Sequence, residues 1–403
     1  MSFGNSTFSY GTLSKTFHWL TALLIITLIP LGIVANKLPY DTAEQLAQKA
    51  FLFSLHKTLG ITTFAVAIAR ILWAIGQPKP GPLHPDRKLE HWLAETIHWL
   101  LYGSLVLVPL TGWIHHAATQ GFAPIWWPLG QNLPFVPKDE AVASLFAGLH
   151  IVFERVLMVS VILHIAGAFK HHIIDKDVTL LRMWFGQRNL PDVKPAKRAS
   201  LPVISALTAW CVALGIGGML GLYESHSQTQ AGPELAEVTS DWTVQSGDIS
   251  ITIMQFGSEV TGTFADWTAQ IDFDPDIPNG KAGAVNVTIS IPSLTIGSVT
   301  AQALGPDYFD ASTHATAAYS GDIFTTPDGY IAKGTLTLRG NSLPVDLLFS
   351  PILEGDTATV KTRTTLQRLD FDIGTNMTDE SSLGFDVKVL INLTAHRQSQ
   401  DPT

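Results

Sequence analysis

Two histidines, His150 and His164, lie 14 residues apart in an apolar stretch near residues 146–169. At 3.6 residues per turn, 14 residues make just under four full turns. Both side chains would therefore point the same way, about 21 Å apart along a helix. Two other apolar stretches offer partners: His18 opens one near 17–36, and His56 opens one near 54–75. If successive stretches cross a membrane in alternating directions, His18 is level with His164 and His56 with His150. Two imidazole pairs then face each other at two depths. Two axial nitrogens with a flat group between them are what a bis-histidine haem requires. Zinc would want three or four ligands around one point, which two distant pairs do not supply. Arg70, 14 residues after His56, shares its face at the inner depth. A guanidinium there could pair with haem propionates or headgroup phosphate, or simply anchor the helix on the basic side. Polar groups inside a span are costly and mark function. Hydrogen bonding between helices and a proton or ion path stay open as other uses of the four histidines.

The remaining histidines rank lower. His91 and His98 are seven residues apart on one face of a third apolar stretch, where they could line a haem edge or a quinone pocket. His115-His116 and His171-His172 fall at stretch ends, where histidine is cheap. Arg155 is close to Glu154 in sequence and is assigned no role.

The elements that must hold these residues follow from composition. The chain has 403 residues, 46% apolar and only 15% charged, with a mean hydropathy of +0.23. About 25% charge is usual for a soluble domain, so disordered and nucleic-acid-binding classes are excluded and membrane spans are expected. One cysteine, Cys211, excludes a disulfide scaffold, a CxxC pair and an iron–sulfur cluster. The charge is asymmetric. Residues 1–222 carry 17 basic and 11 acidic side chains, net +6; residues 223–403 carry 8 and 23, net −15.

Five apolar stretches are long enough to cross about 30 Å of hydrocarbon, near 17–36, 54–75, 92–114, 146–169 and 201–222. Pro30 and Pro109 fall inside spans, which membrane helices tolerate. The first stretch is long and is followed by Asn36-Lys37 without a small-x-small site, so it reads as a span and not a cleaved leader. A cytoplasmic N-terminus places Lys15, Arg70, Lys79, Arg87, Lys88, Lys170, Lys176, Arg182, Arg188, Lys194, Lys197 and Arg198 inside. Only Lys37, Lys49, Lys57 and Lys138 are then outside. Five spans put residues 223–403 in the periplasm. On the fifth, Ala209, Ala213, Gly217 and Gly221 form a ladder of small residues that could dock on the other helices or on a second copy, as a homodimer.

Beyond Asp241 the pattern becomes period two. Every second residue is apolar in Ala284–Ile291, Ile249–Ile253, Gly334–Leu338 and Phe385–Val389. Turn signals fall at Ser246-Gly247-Asp248, Pro278-Asn279-Gly280, Pro327-Asp328-Gly329, Arg339-Gly340-Asn341 and Glu354-Gly355-Asp356. About eight antiparallel strands are expected, as a closed barrel or a sandwich, with a short helix near Ser298–Ala303. Ile251, Ile253, Val287, Ile289, Leu336 and Leu338 are the interior candidates. The domains expected are 1–190 (four-helix membrane domain), 191–235 (basic linker, fifth span and tether) and 236–403 (β domain).

Residues 10–190 resemble the bacterial cytochrome b561 family. The matching stretches are Ser14-Lys15-Thr16-Phe17-His18-Trp19-Leu20, His56-Lys57-Thr58-Leu59-Gly60 with Arg70, Pro109-Leu110-Thr111-Gly112-Trp113, His150 with His164, and His171-His172 through Leu180-Leu181-Arg182-Met183. The resemblance implies an all-α four-helix di-haem bundle with two haem b. His18 and His164 would be axial ligands of the inner iron, and His56 and His150 of the outer one. Residues 240–397 resemble the YceI-like family of periplasmic lipid-binding proteins. That match rests on Val260–Phe264, Asn286–Ile291, Asp307-Tyr308-Phe309-Asp310, Gly334–Gly340 and Arg368–Gly374. It implies a lipocalin-like, antiparallel eight-stranded barrel holding an isoprenoid chain.

The function expected is a haem b electron carrier of a bacterial inner membrane, part of a respiratory chain. It would exchange electrons with ubiquinone or another quinone, and its periplasmic barrel would present an isoprenoid lipid near the outer haem. The resemblance also raises superoxide as an electron donor. The redox partner is not readable from the sequence. Two rivals remain: a membrane-anchored isoprenoid carrier without redox activity, and a cytochrome subunit of a larger oxidoreductase complex such as a hydrogenase.

Overall fold

The computed structural model describes residues 3–398 except 8, 120, 129, 187–192, 194–198, 225–231, 233 and 237. Arg188, Lys194, Lys197 and Arg198 of the expected basic linker lie outside the described residues. Close backbone contacts divide the chain into two units. One comprises Met1–Leu38, Lys49–Thr119 and Ile125–His226; the other comprises Pro39–Gln48, Gln120–Pro124 and Ser227–Thr403.

The first unit is built on five helices: α1 (Thr12–Lys37), α2 (Ala43–Ile75), α3 (Lys88–Ala118), α4 (Glu140–Phe169) and α5 (Leu201–Met219). A π-helical turn, Lys170–Asp175, extends α4. All five are long and apolar enough to cross a membrane. Pro30 and Pro109 sit inside α1 and α3, as expected. Asp139 caps α4, its carboxylate accepting from the Val142 amide at 2.9 Å. Three buried threonine hydroxyls are satisfied within their own helices. Thr21, Thr63 and Thr111 donate to the carbonyls four residues earlier, of Phe17, Leu59 and Leu107, at 2.6–2.8 Å.

Helices α3 and α4 pack along their lengths, and α5 lies against both. No such close run of backbone joins α1 or α2 to another helix among the described residues. An apolar layer crosses the unit at mid-depth: Ile25, Ala67, Leu105 and Leu157, with Ile29, Leu101, Val108 and Val161 packed on it.

The ladder on α5 divides between two tasks. A Cβ on buried Gly217 would stand 2.7 Å from Val152 Cγ2 of α4, so this face is turned toward α4 within the chain. Gly221 (φ +68°) is instead the helix stop. Its amide donates to Gly218 O, and the Leu222 amide donates to Gly217 O, both at 3.0 Å. This is a Schellman cap, and it ends α5 at Met219, short of the expected residue 222. Against α3, the Trp210 ring lies over Gly103, where a Cβ would be 2.0 Å from the ring edge. Gly103→Leu is therefore expected to unseat α5. Overpacking costs of about 1–3 kcal/mol should lower the melting temperature in detergent, and Trp210→Ala in the same chain should recover part of the loss.

The second unit is all-β apart from short helical turns. Its strands are β1 (Trp242–Gln255), β2 (Ser258–Phe264), β3 (Trp267–Phe273), β4 (Lys281–Ser290), β5 (Leu294–Thr295), β6 (Thr316–Thr326), β7 (Gly329–Leu338), β8 (Asn341–Phe349), β9 (Ile352–Glu354), β10 (Thr357–Gln367) and β11 (Leu383–Arg397). They form two antiparallel sheets, β5-β2-β1-β11-β10-β9 and β3-β4-β6-β7-β8. The count is eleven rather than eight, and hydrogen bonding gives two sheets rather than one closed ring. The short α6 (Thr300–Ala303) stands where a helix is expected.

One expected turn is overturned. Ser246-Gly247-Asp248 lies inside β1, just after a bulge at Val244/Ser246. Gly247 is there because the neighbouring strand and Trp267 come too close for a Cβ, which would lie 2.6 Å from Asn392 O and 3.0 Å from the Trp267 ring. The β1–β2 turn is Phe256-Gly257, with φ of +47° and +74°; Arg339-Gly340 (+50°, +78°) makes the matching β7–β8 turn. Positive φ at both central positions is the hairpin geometry that suits twisted strands.

Both sheets turn apolar faces to a cavity of about 220 Å³. All six interior candidates, Ile251, Ile253, Val287, Ile289, Leu336 and Leu338, line it. Arg368, buried after β10, holds the following loop by giving all five of its N–H groups to backbone. Nε donates to Gly384 O, Nη1 to Ile373 O and Gly374 O, and Nη2 to Met377 O and Leu383 O.

Candidate functional site

Helix geometry carries the four histidines to two levels. At the inner level α1 brings His18 to His164 of α4, with ring centroids 6.1 Å apart and planes tilted by 58°. An imidazole nitrogen lies about 2.0–2.1 Å from a metal ion it ligates, and each ring centre about 1.1 Å beyond that nitrogen. Two rings on opposite sides of one metal are therefore about 6 Å apart at their centres, and the His18–His164 spacing meets this.

A third imidazole joins them. His98 of α3 meets the His164 ring edge-on at 5.2 Å and stacks on Tyr102 at 6.3 Å. The Arg70 guanidinium of α2 lies 5.4 Å over the Tyr102 ring, so the cation sits at the inner level as its spacing from His56 requires. Tyr10, just before α1, borders the same group, and burial, then the nearby Tyr102, pushes its phenol up to about 12. It is a neutral hydrogen-bonding group at physiological pH. His98 was reachable from its seven-residue spacing to His91. Tyr102 and Tyr10 carry no pattern that singles them out. His91 makes no ring contact with either level among the described residues.

At the outer level α2 carries His56 and α4 carries His150. The His150 Nδ1 lies 2.8 Å from Val108 O. A carbonyl can only accept, so Nδ1 carries the proton and Nε2 keeps its lone pair; this second contact fixes tautomer and ring direction as metal-ligating histidines require. Glycines make room for both rings. A Cβ on Gly112 would lie 2.9 Å from His150 Nδ1, and one on Gly32 2.9 Å from His56 Cε1. On the histidine faces themselves, added Cβ atoms at Gly60 and Gly167 meet nothing within 4 Å. With α1 and α2 standing off from the other helices, this is a cradle for a flat group between imidazoles, and the residues fit haem.

The apolar layer divides the levels. Ile25 is seven residues from His18, Leu105 seven from His98, and Leu157 seven from both His150 and His164. Seven residues rise about 10.5 Å. The layer therefore stands between the two histidine levels, about 10.5 Å along the helices from each.

A polar clip closes the inner end. His171 Nδ1 lies 2.7 Å from Asp177 Oδ2, and His84 Nε2 lies 3.0 Å from the same oxygen. Arg87 and Lys170 both pair with Asp175, at 3.0 and 2.9 Å. Glu90, His171 and Asp175 lie together, but two cations already neutralise the carboxylates, so the group reads as an ion-pair clip. Burial alone would raise the Asp177 carboxyl. Hydrogen bonds from the Thr179 hydroxyl and amide and from His171 outweigh it and hold the carboxyl down to about 2. A carboxyl depressed in the folded state stabilises fully above its ordinary value and loses that stabilisation as pH falls toward the folded value. Asp177→Asn should thus cost about 1.5–3 kcal/mol at pH 7, with the gap in melting temperature between wild type and variant shrinking as pH is lowered from 5 toward 2.

A family model for prokaryotic cytochrome b561 matches residues 9–186, and one for the YceI-like domain matches residues 233–395. "Cytochrome b561 homolog 2" of Escherichia coli (strain K12) is 33% identical over 189 residues, covering 45% of this chain and 95% of that protein. The "Probable superoxide oxidase CybB" of Yersinia pestis is 25% identical over 175 residues, covering 43% and 94%. The crystal structure of Burkholderia cenocepacia BcnA is similar to 37% of this chain over 95% of its own length, at 27% identity and a TM-score of 0.35. With histidines from separate helices at two levels, an apolar layer between them, a family model matching residues 9–186 and a 33%-identical relative covered over 95% of its length, the chain belongs to the prokaryotic cytochrome b561 family, and a YceI-like domain follows its membrane helices.

Proposed function

We propose that the protein is an electron carrier of the bacterial inner membrane that holds two haem b groups, one between His18 and His164 and the other between His56 and His150. The observation that carries this is the pair of imidazole levels on α4, with the 6.1 Å ring spacing at one and the Nδ1-anchored His150 at the other. Bound haem supplies one-electron redox chemistry. The chain's own part is to present neutral Nε2 lone pairs, to exclude water with the apolar layer, and to set Arg70 where a propionate would find a cation.

The excess of basic residues on the α2–α3 side supports a cytoplasmic N-terminus, with the YceI-like domain periplasmic. A quinone is the proposed partner for electrons. The relative named a probable superoxide oxidase makes superoxide the second candidate. The β unit is proposed to hold an isoprenoid lipid in the 220 Å³ apolar cavity between its two sheets. The test is a reduced-minus-oxidised spectrum of purified protein with a haem assay. Two low-spin haem b per chain support the reading. A haem-free protein that still binds isoprenoid overturns it in favour of a lipid carrier.

A further inference from the structure

The cavity of the β unit has one polar end. Gln255, the last residue of β1, lines it and is only 5% exposed, and its Oε1 has no hydrogen-bond partner among the described residues. A buried acceptor left unpaired is costly, so such a group in a binding cavity points to a donor on a ligand. Three other polar groups of the lining, Gln302, Tyr308 and Arg368, lie on this side. Gln255 pairs in register with Leu383, whose carbonyl accepts from Arg368 Nη2. Arg368 lies beside Tyr308 at Gly374, where a Cβ would be 3.0 Å from Nη1 and 3.1 Å from the Tyr308 ring. Tyr308 Oη in turn accepts from Gln302 Nε2 at 3.2 Å, which leaves its own proton to give. Arg368 is spent on five carbonyls, so the end carries a fixed positive charge but no free guanidinium N–H. The far end differs. There Tyr319 Oη already faces Ala332 O and Val345 O, at 3.0 and 3.1 Å, and adds no free group.

We infer that the cavity selects an isoprenoid whose head carries a hydroxyl, as an isoprenoid alcohol or a quinol does, with the hydroxyl donating to Gln255 Oε1 and accepting from Tyr308 Oη. This rests on the reading of the cavity as an isoprenoid site. It adds that the donor on the head, and not the tail alone, sets the preference. A quinone head, which only accepts, leaves Gln255 unpaired and is the poorer ligand. The domain would thereby discriminate between the reduced and oxidised forms of one lipid.

The test uses the full-length protein in detergent and three probes with one tail: farnesol, its methyl ether and the C15 hydrocarbon of the same branching. The ether keeps the oxygen and loses only the donor. Equilibrium dialysis is run on wild type and on Gln255→Leu. The wild-type-to-variant ratio for each probe cancels its partition into micelles. Farnesol is expected to lose about tenfold in the variant, and the ether and hydrocarbon to change little. Gln255→Leu removes an unpaired buried acceptor, so its melting temperature should not fall. Equal wild-type preference for farnesol and its ether, or equal loss of all three probes in the variant, overturns the inference and leaves the isoprenoid reading standing. If none of the three binds wild type, the isoprenoid reading itself fails and the inference with it.

Discussion

His150→Ala is expected to hold one haem per chain where the unaltered protein is proposed to hold two, and His18→Ala to do the same by losing the other. The double variant should hold none. The argument is one of separation. Each level takes one imidazole from α4 and one from α1 or α2, and Ile25, Ala67, Leu105 and Leu157 lie between the levels as an apolar layer. Losing an axial ligand at one level leaves the ring pair at the other untouched. The inner level makes the sharper case, because it has three imidazoles and only two can be axial. The His18–His164 spacing of 6.1 Å suits a shared metal, whereas His98 meets His164 edge-on at 5.2 Å, with its ring engaged on Tyr102. His98→Ala should therefore keep both haems and shift only the inner spectrum. A pyridine haemochrome assay of the four variants decides the matter. A His98→Ala protein with one haem would reassign the inner pair, and a His150→Ala protein with two would dismiss the outer one.

How much of this was legible depended on whether the controlling contact repeats with a period. Fourteen-residue spacing is a helical property, so His150 and His164, and Arg70 after His56, could be placed at depth before any coordinate. Period-two alternation likewise named six residues that line the cavity. What escaped was set by contacts between distant parts of the chain. Tyr102 matters because Arg70 and His98 both reach it, and its own neighbours do not announce that. Ser246-Gly247-Asp248 carries turn composition, yet Gly247 is there for a close approach by Asn392, 145 residues on. Gly221 falls in register with a packing ladder but serves as a left-handed cap, a role that only backbone dihedrals distinguish. Two of the eleven strands, β5 and β9, at two and three residues, are too short to show alternation.

Arg368→Met is expected to be among the most damaging single changes in the β unit, and the reason lies in what the guanidinium touches. Arg368 is 2% exposed, and all five of its N–H groups end on backbone carbonyls, of Ile373, Gly374, Met377, Leu383 and Gly384. No acidic side chain is paired with it among the described residues; the Phe385 ring, 5.2 Å away, is the other cover for its charge. Burial pulls its proton affinity down, with the nearby Tyr308 working against that. A methionine fills similar volume but leaves five carbonyls without a donor. Each net hydrogen bond contributes about 0.5–1.5 kcal/mol, and an abandoned buried acceptor costs more. A loss of about 3–5 kcal/mol is a large share of a domain's stability. Arg368→Lys should recover only part of it, since an ammonium offers three donors at one point and cannot span a loop from Ile373 to Gly384. Thermal melting followed by far-ultraviolet β signal and by limited proteolysis of the full-length protein checks this. The haem spectrum should stay unchanged, because the helical unit does not use this residue. If Arg368→Met melts with wild type, the loop is held by its apolar contacts at Met377 and Leu383 instead.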